Sequence, residues 1–278
     1  MSKKSKTVKN KMAIVPSDWL NVNRISWNQR TKLHINSDFY DVERFKKGKD
    51  SLNDIELQLL GNIDKQKILH LQCHFGMDTL SLERHGAFAT GVDFSEDAIS
   101  YANTLKKEMG LSSEFICSDI YDLDLTETHK FDMVFCSYGI CGWLPDLHKW
   151  GEIISKHLKK GSTFTIVDFH PAVWMFDDDF KNIGYSYFNE KPYIEVESGS
   201  YASRNEKEEI TSVWWNHSLS EIMKGLLDND LDLIAFNEYD YSPYNCFRHT
   251  IEVTDGKFRI KHLDSKIPMV YSMVFRKK

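Results

Sequence analysis

The sequence lacks the features of a membrane, secreted or disulfide-rich protein. No apolar run approaches the roughly 20 residues that span a bilayer, and the N-terminus has no apolar signal-peptide core. The five cysteines are odd in number and show no C-x-x-C spacing, so reduced thiols fit better than a disulfide framework. We therefore expect a cytoplasmic protein without a membrane partner.

Positive charge is scarce outside the first residues. The net charge is −6, and because residues 1–11 contain five lysines, the remainder carries about −11. An acidic body without a clustered basic face argues against a nucleic-acid partner. Residues 1–16 lack apolar periodicity and are predicted to form a disordered basic tail.

Helix and strand signals alternate from residue 66 onward. Apolar runs at 131–139 and 162–170 are typical of buried parallel strands, and a helix is predicted over 147–161. Ser51, Ser95 and Ser218 are predicted helix N-caps, while Gly61, Gly110 and Gly161 suit helix ends. This alternation predicts an α/β fold with three layers and a largely parallel, Rossmann-like sheet. The aromatic-rich residues 171–217 break the pattern and are predicted to be a β-rich insertion after the fifth strand.

Residues 66–98 are the most informative segment. A strand leads into a turn with Gly76, and a second strand ends on Asp93, where dinucleotide-type folds hold the two ribose hydroxyls. Folds that bind NAD need small residues in this turn so that the backbone can approach a pyrophosphate. Gln72 and His74 stand there instead. His74 would crowd a diphosphate but not a nucleoside without one, which disfavours an NAD-linked oxidoreductase.

With these residues in place, the chain resembles a class I S-adenosylmethionine (SAM)-dependent methyltransferase. The segments ILHLQCHFG, GVDFS, CSDI and FDMVFCSYGICGW are similar to motif I, motif II, the adenine-contacting segment and motif IV. The resemblance implies a seven-stranded sheet, mostly parallel with an antiparallel last strand, and SAM across the strand ends. It also implies one methyltransferase domain over 17–278, divided into an N-terminal helical lid (17–62), a SAM-binding core (63–170), a substrate-side insertion (171–217) and a C-terminal helix and strand pair (218–278).

The resemblance also assigns cofactor contacts. Asp93 would bind the ribose hydroxyls beside Phe94, and Asp119 would accept a hydrogen bond from the adenine amino group. His70 replaces the usual acidic residue of motif I. The full predicted cofactor-binding set is His70, Gln72, Cys73, Gly76, Asp93, Phe94, Ser95, Asp119, Ile120, Cys136, Ser137 and Tyr138.

A metal site is not predicted. His70, Cys73 and His74 are ligand types that zinc uses, but zinc needs three or four convergent ligands. Residues 70 and 73 point to opposite faces of an extended strand, so convergence is not expected. His70 is predicted instead to be a hydrogen-bonded histidine beneath the cofactor.

No catalytic residue is assigned by the sequence, and three candidates remain. Asp168 and His170 end the fifth strand on the same side, where a histidine suits a general base, although a structural role for both is equally compatible. Tyr138 follows the motif IV strand. Candidate substrate-contacting side chains are the aromatic residues Trp27, Tyr40, Trp143 and Trp174.

The functional hypothesis is transfer of a methyl group from SAM to an oxygen, nitrogen or sulfur atom of a small molecule. The motif IV segment CSYG differs from the Asn/Asp-Pro-Pro-aromatic segment of the family's nucleic-acid amino-methylating enzymes, which argues against base methylation. The altered motif I leaves an alternative, a non-catalytic protein of the same fold that binds SAM or another nucleoside.

Overall fold

The computed structural model describes residues 18–125 and 130–278, so the predicted tail at 1–16 lies outside the described residues. The helices are α1 (Trp19–His34), α2 (Val42–Lys46), α3 (Asp54–Leu60), α4 (Met77–Arg84), α5 (Glu96–Met109), α6 (Leu147–His157) and α7 (Leu219–Leu227). The strands are β1 (Lys67–Leu71), β2 (Phe88–Asp93), β3 (Glu114–Cys117), β4 (Phe131–Ser137), β5 (Leu158–Phe169), β6 (Tyr193–Ser198), β7 (Glu209–Trp214), β8 (Leu231–Tyr239), β9 (Thr250–Thr254), β10 (Lys257–Ile260) and β11 (Val270–Lys277). No helix in the described ranges is both long and apolar enough to cross a membrane.

Seven strands form the central sheet in the order β3-β2-β1-β4-β5-β11-β8. The pairs from β3 to β5 are parallel, while β11 runs antiparallel to both β5 and β8. The apolar run of β4 is buried at nearly every position because helices cover both faces of the sheet. The predicted three-layer, mostly parallel sheet with an antiparallel last strand is therefore confirmed.

Several helix ends are as predicted. The Ser95 side chain accepts a hydrogen bond from the Ala98 N–H at 3.1 Å, and the Ser218 side chain accepts one from the Glu221 N–H at 3.2 Å. Gly110 closes α5 with φ of 66°, the left-handed conformation in which glycine has no Cβ penalty.

Two predicted boundaries are wrong. The N-cap of α3 is Asn53, because the Ser51 hydroxyl lies 2.9 Å from the Ser81 hydroxyl of α4 and is used in that contact. Helix α6 ends at His157, four residues before the predicted end. Leu158 already pairs with Phe131 of β4, so the pairing of β5 replaces the last turn.

The insertion after β5 contains the antiparallel hairpin of β6 and β7, and β9 and β10 form a second hairpin before β11. Helix α1 packs on β7, where the Asn23 side chain donates to the Val213 carbonyl at 2.7 Å and accepts from the Val213 N–H at 2.8 Å. This two-way bond mimics strand pairing. It joins the N-terminal helix to the insertion and brings both to the same end of the sheet.

Candidate functional site

The candidate site lies where β1, β2, β3 and β4 end, because parallel strands bring their carboxyl ends to one edge of the sheet. His70 of β1 pairs with Gly91 of β2 and with Phe135 of β4. Asp93, the last residue of β2, pairs with Cys117 of β3. The loops that follow these four strands therefore form one continuous group.

The loop after β1 is left-handed at three positions. Gln72, His74 and Gly76 have φ of 55°, 53° and 83°. Glycine adopts this region freely, whereas a residue with a side chain is strained by about 1–2 kcal/mol. Gln72 and His74 thus keep the backbone conformation of the glycines that they replace. Strain retained at a site of this kind points to a use for both side chains.

Glycines allow close packing beneath this loop. A Cβ on Gly76 would lie 2.5 Å from the Phe115 ring, and a Cβ on Gly91 would lie 2.8 Å from the Cys73 Sγ. Cys73 is buried, and its backbone N–H donates to the Val92 carbonyl at 2.9 Å. Gly76 and the Cys73 side chain therefore support the loop from the β2 side.

Asp93 joins the tip of β2 to the loop after β1. One carboxylate oxygen, Oδ2, accepts from the His74 N–H at 2.8 Å, and Oδ1 accepts from the Ser95 N–H at 2.9 Å. The side chain is buried, which raises the pKa of Asp93 to about 6 despite these backbone donors. Each carboxylate oxygen has a second lone pair, so the group can still accept from a ligand hydroxyl.

Asp119 stands at the same edge, after β3. Its Oδ1 accepts from the Tyr121 N–H at 3.1 Å and so caps a short 3-10 helix, Ile120–Asp122. The carboxylate is half-buried, and burial raises the pKa of Asp119. The Ile120 side chain belongs to the main hydrophobic core, which leaves its backbone as the part that a ligand can use. Phe94 is partly exposed beside Asp93.

Ser95 connects this edge to α1. Besides capping α5, its hydroxyl donates to the Asn28 Oδ1 at 2.6 Å, and the Asn28 amide donates to Glu96 at 3.0 Å. Arg24 forms an ion pair with the same Glu96 at 2.6 Å. Helix α1 is thus anchored to the start of α5 directly beside Asp93.

The residues at the end of β4 separate into core and site. Cys136 is fully buried, and its side chain belongs to the main hydrophobic core. The Ser137 hydroxyl donates to the Asp78 Oδ2 at 2.8 Å and lies 3.4 Å from the His70 Nε2. Tyr138, with φ of 41°, has a buried hydroxyl without a hydrogen-bond partner.

His70 is a buried neutral histidine that is held by hydrogen bonds. Its Nδ1 lies 2.8 Å from the Thr79 hydroxyl, and burial lowers the pKa of His70 to about 3. The ring therefore stays uncharged beneath the loop. It joins Thr79 of α4 to Ser137 of β4.

Aromatic side chains from α1 and neighbouring loops cover the loop after β1. The Trp27 ring packs edge-on against His74 and Trp143, with 5.2 Å between ring centroids in each case. Tyr40 lies 5.5 Å from His74. Three of the four aromatic candidates therefore meet here. Trp174 does not join them, because it packs against Phe169 and Phe247 in a separate cluster.

Two buried histidines meet at this contact, His34 from α1 and His74 from the loop after β1. The centroids of His34 and His74 lie 5.0 Å apart, and burial lowers the pKa of His34 well below its ordinary value. Burial, followed by the charge of Arg30, lowers the pKa of His74 to about 3. Both rings are therefore neutral, and each can offer a lone pair to a ligand.

Asp168 and His170 are engaged in the fold and make poor general bases. Asp168 accepts backbone N–H bonds from residues 139, 140, 141 and 169 at 2.5–3.1 Å, which holds the loop after β4. The His170 Nδ1 accepts from the Ala172 N–H, and its Nε2 lies 2.9 Å from Glu238. With Nδ1 as the acceptor, the proton is on Nε2, and no lone pair remains for catalysis. Tyr138 is the remaining candidate of the three.

The structure adds site residues that the sequence analysis missed. His34 comes from α1, Glu56 from α3 and Asp78 from the first turn of α4, while Tyr244 follows β8. None has a local sequence signal, since a histidine or an acid in an amphipathic helix is ordinary. Only Asp78 stands close to a motif, two residues after Gly76.

These residues fit a cofactor made of a nucleoside and an amino-acid chain. Buried polar atoms without hydrogen-bond partners lie in the loop after β1 and on the His34 ring beside it, namely Gln72 Oε1, His74 Nε2 and His34 Nδ1. Buried polar groups are otherwise satisfied in folded proteins, so such a group of atoms marks a polar ligand. Asp93 and Asp119 supply acceptors for a ribose and a base at the same edge.

Sequence comparison detects relatives of the central region. Residues 68–161 match a family described as a methyltransferase domain. A ubiquinone biosynthesis O-methyltransferase of Coxiella burnetii is 31% identical over 85 residues, which cover 31% of this chain and 35% of that protein. One of Hahella chejuensis is 27% identical over 101 residues, covering 35% and 42%. The chain therefore spans less than half the length of the curated relatives it matches.

Solved structures share the fold. A SAM-dependent methyltransferase from Clostridium acetobutylicum aligns with a TM-score of 0.54 at 17% identity, covering 92% of this chain and 98% of that one. Geranyl diphosphate C-methyltransferase from Streptomyces coelicolor aligns with a TM-score of 0.59 at 12% identity, covering 96% and 100%. At such identities the likeness shows the fold alone.

The sheet order, the antiparallel β11 and these neighbours define the class I, Rossmann-like methyltransferase fold. Within it, residues 68–161 are the part of the chain that matches the methyltransferase-domain family. The candidate site lies at the strand ends of this family segment and extends to α1 and the insertion.

Proposed function

We propose that the protein is a SAM-dependent methyltransferase that acts on an oxygen, nitrogen or sulfur atom of a small molecule. The observation that supports this most is the position of Asp93, a buried carboxylate that joins β2 to the loop after β1. A ribose diol bound there would lie between the motif I loop and Asp119. The family match of residues 68–161 supports the same assignment.

SAM, when bound, supplies a methyl group that is already activated by its sulfonium charge. The chain would therefore contribute mainly binding, orientation and exclusion of water. Asp93 and Asp119 would hold the adenosine part, while Gln72, His74 and His34 offer the unpartnered polar atoms for the amino-acid part. Helix α1, anchored to both α5 and β7, would exclude water from above.

A methyl acceptor must also be oriented, and it must lose its proton. Tyr138 keeps an unpartnered hydroxyl at the end of the motif IV strand, whereas the Nε2 of His170 lies 2.9 Å from Glu238 and Asp168 is occupied by backbone donors. Burial raises the pKa of Tyr138 well above its ordinary value, so the hydroxyl would orient an acceptor as a hydrogen-bond partner and would not remove its proton as a phenolate.

Calorimetric titration of SAM and S-adenosylhomocysteine tests the cofactor assignment. Asp93→Ala should weaken binding by about 1–3 kcal/mol, the range for an unpaired charged hydrogen bond. Asp93→Asn, which keeps one acceptor, should fall between it and the parent protein. Asp122→Ala is the control, since Asp122 is an exposed carboxylate at the same edge. An unchanged dissociation constant in Asp93→Ala would contradict the assigned role.

A second candidate is a nucleoside-binding protein without turnover. It is favoured by the packing of His74 against Trp27 and Tyr40, which fills the space above the loop with aromatic rings. A methyl-release assay over a panel of acceptors separates the two. Tight SAM binding with no S-adenosylhomocysteine formed from any acceptor would favour the non-catalytic protein.

We also propose a cytoplasmic location and no nucleic-acid partner. All five cysteines are free thiols, which suits a reducing compartment, and the chain is acidic apart from its first residues. Cell fractionation and a gel-shift assay with DNA and RNA would test these two points.

A further inference from the structure

A second polar group lies at the acceptor side of the candidate site, and only Tyr138 of its members belongs to the predicted cofactor-binding set. It consists of Glu56 of α3, Asp78 of α4, Tyr138 after β4 and Tyr244 after β8, and we call it the carboxylate–tyrosine cluster. The Tyr138 and Tyr244 rings pack edge to face with centroids 4.9 Å apart. Four separate elements of the fold thus meet at this point.

Hydrogen bonds position the cluster. The Asn53 side chain donates to the Glu56 Oε1 at 3.2 Å and to the Tyr244 hydroxyl at 2.8 Å. The Ser137 hydroxyl donates to the Asp78 Oδ2 at 2.8 Å. Since Ser137 and Tyr138 end the motif IV strand, the cluster directly adjoins the place assigned to methyl transfer.

The two carboxyl groups have no positive partner. Glu56 is fully buried, and in residues 18–125 and 130–278 neither Glu56 nor Asp78 forms an ion pair. Burial, followed by the charge of Asp78, raises the pKa of Glu56 to about 8, and burial raises the pKa of Asp78 as well. Buried carboxyl groups are normally paired with a cation, so this pair is unusual.

Two atoms in the cluster are also unsatisfied. The Glu56 Oε2 and the Tyr138 hydroxyl are buried without a hydrogen-bond partner. Glu56 and Tyr138 are neighbours, since the Glu56 carboxyl group raises the pKa of Tyr138 and the Tyr138 hydroxyl lowers that of Glu56. Within the described residues, however, neither atom reaches the geometry of a full hydrogen bond. If Glu56 served only as a protonated structural acid, its free Oε2 would be expected to form a full hydrogen bond within the fold. The open acceptor instead indicates a donor that comes from outside.

We propose that the carboxylate–tyrosine cluster binds the ammonium group of an amine-bearing methyl acceptor. An ammonium group brings the positive charge that Glu56 and Asp78 lack and an N–H donor for the free Glu56 Oε2. The faces of Tyr138 and Tyr244 attract the same cation. This inference rests on the proposed function, because only the neighbouring Ser137 and Tyr138 link the cluster to methyl transfer.

Direct binding of small amines tests the inference without turnover. Phenethylamine and n-butylamine are titrated into the full chain by calorimetry, with 2-phenylethanol and n-butanol as neutral probes of matched shape. The amines should bind at least about tenfold more tightly than the alcohols, which corresponds to one charge-assisted hydrogen bond. Equal binding of amines and alcohols, or no amine binding, overturns the proposal.

Substitutions locate the binding. Glu56→Gln and Asp78→Asn keep the side-chain shape and should each weaken amine binding about tenfold or more. Asp54→Asn is the matched control, because Asp54 is an exposed carboxylate on the same helix, and binding should stay within about twofold. Circular dichroism establishes folding, and Asp78→Asn carries the test alone if Glu56→Gln does not fold. Unchanged amine binding in the cluster variants overturns the proposal.

Titration of SAM into the same variants distinguishes the acceptor from the cofactor, whose amino-acid part also carries an ammonium group. The proposal requires that SAM binding remains within about threefold in Glu56→Gln and Asp78→Asn. If both variants lose SAM binding as strongly as amine binding, the cluster holds the cofactor and the proposal is overturned. If the parent protein binds amines through the cluster but no SAM, the proposed function fails while the amine site is supported.

Discussion

Replacing Glu56 by glutamine should stabilise the protein at neutral pH. Burial and the charge of Asp78 raise the pKa of Glu56 from 4.5 to about 8. At pH 7 the folded protein therefore keeps this side chain protonated, whereas the unfolded chain has it ionised. Folding at pH 7 therefore requires the uptake of a proton by Glu56, and this cost lowers the free energy of unfolding. Glutamine is neutral in both states and does not carry this cost.

The sign and size follow from proton linkage. Between pH 4.5 and about 8 the unfolded state binds fewer protons at this site than the folded state, so stability falls as the pH rises, by about 1.4 kcal/mol per pH unit. The stability contribution is complete below pH 4.5 and is lost as the pH rises through about 8. At pH 7 the full effect is about 3 kcal/mol. Since relaxation and water penetration reduce such values, we expect Glu56→Gln to gain about 1–3 kcal/mol at pH 7 and under about 1 kcal/mol at pH 5.

Urea unfolding followed by tryptophan fluorescence measures this effect at pH 5, 6, 7 and 8. The difference in unfolding free energy between Glu56→Gln and the parent should increase steadily over this range. Asp54→Asn, on the exposed face of the same helix, should show no such trend. A difference that stays constant from pH 5 to pH 8 would refute the reasoning, because it would mean that Glu56 ionises in the folded state as it does in water.

Two further changes test the loops of the site. Gln72→Gly should stay within about 1 kcal/mol of the parent in urea unfolding, because relief of the left-handed strain offsets the greater chain entropy of glycine. His74→Gly should lose about 2–3 kcal/mol despite the same relief, since the ring contacts with Trp27, His34 and Tyr40 disappear, and equal stability of the two variants would contradict this. Asp168→Ala should lose at least about 3 kcal/mol and open residues 139–143 to proteolysis, because several backbone donors lose their buried acceptor. Protection of that loop equal to the parent's would show that Asp168 does not hold it.

Strand ends and caps were predictable because their signals are local. The apolar run at 131–139 contains the buried strand β4, Asp93 ends β2 as predicted, and Asp119 follows β3. Ser51 misled because it satisfied the local pattern of an N-cap, while its hydroxyl contacts Ser81, 30 residues away. The basic residues before Gly161 likewise fit the pattern of a helix end, but these residues belong to β5, which pairs with β4.

Only the part of the site that lies in the motif segments could be predicted from the sequence. The motif segments located Asp93, Asp119 and Ser137 because each stands at or just after the end of a strand. The carboxylate–tyrosine cluster had no such signal, because its members are far apart in the sequence. Asn53, which positions the cluster by a hydrogen bond to Tyr244, is 191 residues away from it along the chain. The Ala172 N–H occupies the lone pair that would make His170 a base, and no residue pattern reveals this backbone contact.

The position of β11 has a consequence for biosynthesis. In the described chain, β8 joins the sheet through β11, which lies between β8 and β5. A ribosome releases β5 and β8 before residues 270–277, so both strands leave the exit tunnel with unpaired N–H and C=O groups. Completion of the sheet therefore requires β11 to leave the ribosome. A nascent polypeptide that stalls before β11 would expose two unpaired strand edges, on β5 and β8, to chaperones and to neighbouring chains on the polysome.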